Sequence, residues 1–249
     1  MTRIILCGCL GHMGKVISSL ANANPDCEIV AGVDILTASD EKFPIYKNIL
    51  DVTDEADVII DFSHPSLLDS ILEFANGKLP VILCTTGYTS EQVEKITMAS
   101  LNTAIFYSRN MSLGINLLIE LSKKAAKVLG NTFDVEIIEK HHNKKIDAPS
   151  GTALMIADGI KNVRDDLDTY MYDRHSQRKA RETREIGIHA IRGGTIVGEH
   201  EVVFAGNHEI ISISHSAQSK ELFATGAINA GIYMNGKTQG LYDMSDMLS

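Results

Sequence analysis

The chain lacks any run of the roughly 20 consecutive apolar residues that a membrane-spanning helix requires, so no membrane span is expected. Basic residues are outnumbered. The 23 Lys and Arg against 32 Asp and Glu leave a net charge of −9, the wrong sign for a protein that grips nucleic-acid phosphates. Cysteine is sparse: Cys7, Cys9, Cys27 and Cys84 form no CxxC pair and lie in or beside predicted strands, so reduced thiols and a cytoplasmic setting are expected. The histidines show no HxxxH or HxH spacing, and no metal site is expected. The first glycine follows only seven residues after the start, too soon for a secretory leader. There is no internal repeat and no low-complexity tract.

What is present is an ordinary globular composition, 44% hydrophobic and 22% charged over 249 residues. Strand and helix patterns alternate through the first half. Strands are predicted at Arg3–Cys7, Glu28–Val33, Val58–Phe62, Val81–Cys84 and Ala104–Tyr107, with helices at His12–Ala23, Pro65–Asn76 and Ser90–Ser100 between them. Such alternation predicts parallel strands with crossover helices. After Met111 the pattern changes. A long helix, Leu113–Leu129, leads to a strand at Phe133–Ile138 and a helix at Thr152–Ile160. A polar stretch, Arg164–Arg184, is expected to be a mobile excursion. Strands at Glu185–Ala190, Thr195–Phe204 and Glu209–His215 follow, then a last helix, Leu222–Met234. The expected fold is therefore α/β: a doubly wound (Rossmann-like) dinucleotide-binding domain over 1–111 and 216–249, and an α+β substrate-binding and oligomerisation domain with a mixed sheet over 112–215.

Two segments carry chemistry. The first is Gly8-Cys9-Leu10-Gly11-His12-Met13-Gly14, between the first strand and the first helix. Glycines there let a pyrophosphate approach the backbone and the helix N-terminus. The spacing is GxxGxxG, and Asp34, 20 residues after Gly14, closes the second strand, where an acid can accept hydrogen bonds from ribose hydroxyls. Alone the triplet reads equally as a tight turn; its strand–loop–helix setting and Asp34 favour the cofactor. The second segment is Glu139-Lys140-His141-His142-Asn143-Lys144-Lys145-Ile146-Asp147, running into Ala148-Pro149-Ser150-Gly151-Thr152-Ala153. Two imidazoles and three ammonium groups stand beside a helix start with Ser150 as N-cap, a setting that suits a small carboxylate and can deliver a proton to it. Lys144 reads as a solvated charge, Asp147 as the partner of Lys145 or of the loop backbone. His189, His200 and His215 read as structural or interface histidines.

These residues resemble the dihydrodipicolinate reductase family, also called 4-hydroxy-tetrahydrodipicolinate reductases. The run from Glu139 to Ala153 is the most specific part of the likeness. It extends, in the family's order, to Gly8–Gly14, Thr85-Thr86-Gly87, Asn110–Gly114, Ile191–His200 and Gly240–Met244. The resemblance implies NAD(P)H-dependent reduction of a cyclic hydroxy-dicarboxylate, with loss of water, in the diaminopimelate route to lysine. It implies His141 as acid/base or orienting histidine, Lys145 as proton donor, His142 on one substrate carboxylate, and Gly151 and Thr152 on the other. It implies cofactor contacts from Gly8, Cys9, Leu10, Gly11, His12 and Met13, from Asp34, from Cys84, Thr85 and Thr86, and from Ser108, Arg109, Asn110 and Met111. It also implies a homotetramer paired through the second domain's sheet.

Three positions depart from the family's usual pattern: His12 stands where Arg is frequent, Ile35 where some members carry a basic residue, and Cys84 where Gly opens the Thr-Thr-Gly loop. The first two lead to the expectation that NADH serves at least as well as NADPH. Two other readings of the chain are a related reductase resembling aspartate dehydrogenase and a non-catalytic NAD(P)-sensing protein. A sensor would bind NADH without consuming it.

Overall fold

The computed structural model describes residues 1–36, 38 and 42–248. In chain order its elements are β1 (Thr2–Cys7), α1 (His12–Asn22), β2 (Cys27–Val33), β3 (Ile45–Tyr46), β4 (Val58–Asp61), α2 (Leu68–Ala75), β5 (Val81–Leu83), α3 (Ser90–Ala99) and β6 (Ala104–Tyr107). Then come α4 (Leu113–Leu129), β7 (Asp134–His141), α5 (Gly151–Lys161), β8 (Thr169–Met171), β9 (Glu185–Arg192), β10 (Gly198–Ala205) and β11 (Ile210–Ala217). Helix α6 (Glu221–Met234), β12 (Gly240–Tyr242) and α7 (Met244–Leu248) end the chain. Two compact units result: Met1–Ser112 with Glu221–Ser249, and Leu113–Lys220.

In the first unit seven strands lie in the order β12-β6-β5-β4-β1-β2-β3, and every pairing is parallel. The strands are short apolar runs buried on both faces, as a sheet covered by helices requires: Ile4, Ile5 and Leu6 of β1 and Val58, Ile59 and Ile60 of β4 are fully enclosed. The chain turns one way from β1 to β2 and β3 and the other way through β4, β5 and β6. The crevice at the carboxyl ends of β1 and β4 is thus a topological switch point, where such sheets bind ligands. Local signals set the helices. Thr89 and Gln92 form a reciprocal capping box at the start of α3. The helix predicted from Pro65 begins as one tight turn, Pro65–Leu67, capped by His64, before α2 proper. Helix α6 presents a small-residue face. A Cβ at Gly226 would stand 1.7 Å from the Met111 carbonyl oxygen, so glycine there lets α6 press against the end of the Ser108–Met111 loop. Strands β3 and β12, two and three residues long, are not signalled by the sequence pattern.

The second unit holds a five-stranded mixed sheet, β11-β10-β7-β9-β8; β10 runs antiparallel to β7 and β11, while β9 is parallel to β7 and β8. Val135, Ile137, Ile186, Ile188, Val202 and Phe204 point from one face into a core with Leu118, Ala126, Ile156 and Ile160 of α4 and α5. Strand β7 runs three residues beyond its predicted end, to His141, because Glu139 and His141 continue the inward phase of Val135 and Ile137. Charged residues in inward positions hid that continuation from a hydrophobic-pattern reading.

The stretch 164–184 differs from the expected mobile excursion. It contributes β8, which pairs with β9. Arg174 bridges Glu136 at 2.8 Å and Glu185 at 2.7 Å. Arg181 reaches Asp134 at 2.8 Å and Glu136 at 3.0 Å. The high charge content is a set of ion pairs to the sheet, which a composition argument reads as solvated chain. Among the described residues no helix is long and apolar enough to cross a membrane.

Candidate active site

The glycine loop lies in the first unit. Gly8 has φ +76°, and a Cβ there would stand 2.5 Å from the Phe62 carbonyl oxygen; one at Gly14 would stand 2.2 Å from the Gly8 carbonyl oxygen. Side chains are thus excluded from the strand–helix junction, which brings the backbone itself to the crevice. Helix α1 starts at His12 with Gly11 as N-cap, no side-chain cap and no acid in its first turn, so its N–H groups and positive end are left for an anion. Beside it opens a cavity of about 520 Å³, lined by Gly8, Gly11, Asp34, Lys47, Ser63 and His64 among others. Asp34 accepts from the Leu10 N–H at 2.9 Å and the Leu36 N–H at 3.0 Å, holding the glycine loop against the cavity rim. The donor set, the excluded side chains and the cavity fit a dinucleotide. Cys9 is buried with its sulfur against Gly32, so it offers only backbone here; His12 is exposed, and Met13 half-buried.

Of the sequence-predicted cofactor residues, Gly8, Gly11 and Asp34 line that cavity and the others do not. Cys84, Thr85 and Thr86 follow β5 and Ser108, Arg109, Asn110 and Met111 follow β6, along the same carboxyl edge of the sheet. Thr85 and Met111 are buried, Thr86 and Arg109 exposed. The Ser108 hydroxyl donates to the Asn110 carbonyl at 3.0 Å, and the Asn110 side chain accepts the Ser112 N–H at 2.9 Å, so this loop is self-braced. Burial and the neighbouring Asp61 push the Cys84 thiol well up. Asp61, fully buried at the end of β4, stands in no sequence motif. Its carboxylate accepts from Ser63 and, at 3.2 Å, from the Tyr88 hydroxyl, tying the loop after β4 to the loop after β5. Burial pushes its carboxyl up, and the Ser63 hydrogen bonds offset part of the rise.

The second cluster lies in the second unit. His141, at the end of β7, sets Nδ1 2.6 Å from Glu139, whose side chain is wholly buried. Arg192, directly opposite His141 on β9, forks onto both Glu139 oxygens at 2.8 and 2.7 Å. The Ser150 N–H adds a further bond to Glu139 at 3.0 Å. Burial alone would raise the Glu139 carboxyl; hydrogen bonds from Arg192, His141 and Ser150 outweigh it and hold the group ionised below the usual range. The loop after His141 is tied to the turn after β9: the Gly193 N–H donates to the His141 carbonyl at 3.0 Å and the Asn143 N–H to the Gly194 carbonyl at 3.2 Å. Lys145 lies on that loop, half-buried, paired with Asp147 at 2.8 Å; its ammonium holds the Asp147 carboxyl below the ordinary value. Lys144 is exposed. Ser150 caps α5, its Oγ accepting the Ala153 N–H at 3.2 Å. Gly151 and Thr152 open that helix, whose first turn contains no acid, and nothing lies within 4 Å of where a Gly151 Cβ would stand. His142 is half-buried beside them in sequence, its carbonyl accepting the Lys145 N–H at 3.1 Å.

Histidine 141, Lys145 and the α5 N-terminus are thus gathered by one strand–loop–helix segment. Glu139, Arg192 and His200 complete it. His200 on β10 sets Nε2 3.2 Å from Ser150 Oγ and stacks edge-on with His141, centroids 5.2 Å apart. Burial, and then the neighbouring His141, lower His200 to about 4, so it is a neutral buttress. His189 instead bonds Glu136 at 2.7 Å, within the 164–184 ion-pair group. Among the described residues no group of three or more His, Cys, Asp or Glu side chains is placed to hold a metal ion.

Known proteins match this chain over nearly its full length. Residues 2–111 match the family model for the dihydrodipicolinate reductase N-terminus, and residues 114–248 match that for its C-terminus. The 4-hydroxy-tetrahydrodipicolinate reductase of Caldanaerobacter subterraneus subsp. tengcongensis is 53% identical over 100% of this chain and 98% of its own. That of Clostridium novyi is 50% identical over the same shares. A dipicolinate-bound dihydrodipicolinate reductase from Paenisporosarcina sp. TG-14 superposes with a TM-score of 0.80 at 25% identity, covering 98% of this chain and 97% of that one. Two family models that together span nearly the whole chain, and relatives 50–53% identical over its full length, lead to one assignment: the chain belongs to the dihydrodipicolinate reductase family.

Proposed function

We propose that this chain reduces 4-hydroxy-tetrahydrodipicolinate, a cyclic hydroxy-dicarboxylate, to tetrahydrodipicolinate with loss of water, in the diaminopimelate route to lysine. The observation that carries this reading is the β7–α5 segment, in which His141, Lys145 and an acid-free helix N-terminus are held together. A bound nicotinamide supplies the hydride. Gly8, Gly11 and the α1 N-terminus hold its pyrophosphate, and Asp34 faces the adenosine ribose. Gly151 and Thr152 bind one substrate carboxylate through N–H and hydroxyl groups, and His142 binds the other. Lys145 carries the proton that quenches negative charge as hydride arrives, and His141 orients that exchange. Asp147 holds the Lys145 ammonium in place between turnovers.

Cofactor preference follows from the crevice. Asp34 accepts from ribose hydroxyls and repels a 2′-phosphate. Ile35 offers no compensating charge, and Lys47 is the ammonium that lines the same cavity. A close uncompensated charge conflict costs on the order of 1 kcal/mol near a surface. NADH therefore serves at least as well as NADPH. The test is a coupled assay in which an aldolase generates substrate in situ, run separately with each cofactor. Consumption of NADH only when substrate is present is expected. Binding without consumption would show a sensor, and a strong NADPH preference would show that Lys47 overrides Asp34. Asp34→Ala is expected to shift preference toward NADPH.

A further inference from the structure

Glu139 receives four donors on two oxygens. Oε1 takes the Ser150 N–H at 3.0 Å and one Arg192 N–H at 2.7 Å. Oε2 takes the other Arg192 N–H at 2.8 Å and His141 Nδ1 at 2.6 Å. A guanidinium and a backbone N–H can only donate. An ionised carboxylate can only accept, so the His141 contact forces the proton onto Nδ1. The imidazole is the one member of the four that could exchange donor for acceptor.

The ring is fixed on its other sides as well. His200 packs edge-on against it. A Cβ at Gly198 would stand 3.2 Å from His141 Nε2, so glycine leaves that edge of the ring unobstructed. The same carboxylate reaches further. Arg192, held by Glu139, donates to the Asp147 carbonyl at 2.7 Å, and Ser150, held by Glu139, caps α5. One buried carboxylate thereby connects the imidazole, the lysine-bearing loop and the helix end.

We infer that Glu139 is the positioning residue of this site: with Arg192 it fixes His141 as the Nδ1–H tautomer, leaving Nε2 as the nitrogen that meets substrate or the Lys145 proton. For catalysis this rests on the reductase reading above; the tautomer itself does not. Replacing Glu139 by Gln gives the prediction its edge. The amide NH₂ meets an Arg192 N–H at either corner, but at Oε1 it would also face the Ser150 N–H, a second obligatory donor. The Oε2 corner is therefore the less unfavourable one, and there His141 can adapt by moving its proton to Nε2.

The experiment is ring-¹⁵N NMR of histidine-labelled, ligand-free protein, with the His141 signals assigned by their loss in His141→Gln. The wild type is expected to show Nδ1–H for neutral His141, and Glu139→Gln to invert it to Nε2–H. In turnover, Glu139→Gln should lower kcat about 100-fold or more, by analogy with the cost of a wrong histidine tautomer in a buried carboxylate–imidazole pair, with the KM for NADH unchanged. Glu139→Asp, which keeps the charge, should recover part of the rate and keep the Nδ1–H signal. An Nε2–H tautomer in the wild type overturns the assignment without need of any variant, so failure of Glu139→Gln to fold cannot shield it. An unaltered tautomer with near-normal kcat in Glu139→Gln overturns it equally. Wild-type protein that consumes neither cofactor would sink the reductase reading while the tautomer measurement still stands.

Discussion

At the scale of single residues, Lys145 is the group whose removal should matter most to chemistry. A general acid contributes about 100-fold or more, and Lys145→Ala is expected to lose that in kcat while NADH affinity, measured by fluorescence titration, stays put. Near-normal turnover would remove Lys145 from its role. Thr152→Val tests carboxylate capture in the same way. Pyridine-2,6-dicarboxylate is expected to compete with substrate and to bind more weakly to the variant, because a methyl replaces a hydroxyl donor at the start of α5. Equal inhibition of both proteins would exclude that hydroxyl contact. Both residues stand out as candidates in the chain because they are nearly contiguous with His141. Glu139 was visible only as a charge in a run. Its partners Ser150 and Arg192 lie 11 and 53 positions away, and no periodicity links residues on β7, β9 and a helix cap. Asp61 escaped for the same reason, since Tyr88 is 27 positions distant.

At the scale of elements, the start of α5 is held by a neutral histidine, and this sets a dependence on acid. The His200 side chain has an ordinary value near 6.5 in the unfolded chain and about 4 in the fold. Between those values the unfolded state binds more protons, so stability is full above about pH 6.5 and falls as pH is lowered toward 4. The contribution at stake is on the order of 3 kcal/mol, from about 1.4 kcal/mol per pH unit. Urea denaturation across this window is expected to show the loss in the wild type and a shallower slope in His200→Gln, whose amide can still bond Ser150 Oγ. Identical slopes would show that other groups govern acid sensitivity. Element recognition itself followed burial. Val58–Ile60 of β4 and Val81–Leu83 of β5 are unbroken apolar runs, and the long α4 has the bounds its pattern predicts. The failures are elements whose stability comes from elsewhere: β8 stands in a stretch held by Arg174 and Arg181 ion pairs, and β3 and β12 are too short to carry a period.

At the scale of the whole molecule, the alternation of strands and helices sufficed for the doubly wound sheet, because only parallel strands need such crossovers. It said nothing of assembly, since an outward sheet face that meets another subunit can alternate with the core face just as one that meets water does. The five-stranded sheet illustrates this. Its inward residues are apolar and enclosed, while its other face carries Ile138, Lys140, Glu199 and Ser214 around a groove of about 280 Å³, with Lys140 and Glu199 paired at 2.8 Å and Ile210 69% exposed at the edge. A face with a charge pair and an exposed isoleucine at its edge is suited to self-complementary contact, in which each residue meets its counterpart across a two-fold axis. We propose that subunits pair through this face and that pairs associate into a homotetramer. Light scattering behind size exclusion is then expected to give about four times the 27.2 kDa chain mass, and Ser214→Arg, which sets like charges against each other across the axis, is expected to yield smaller species. A wild type that runs at the mass of a single chain at micromolar concentration would rule out the assembly; a tetramer indifferent to Ser214→Arg would move the contact to another surface.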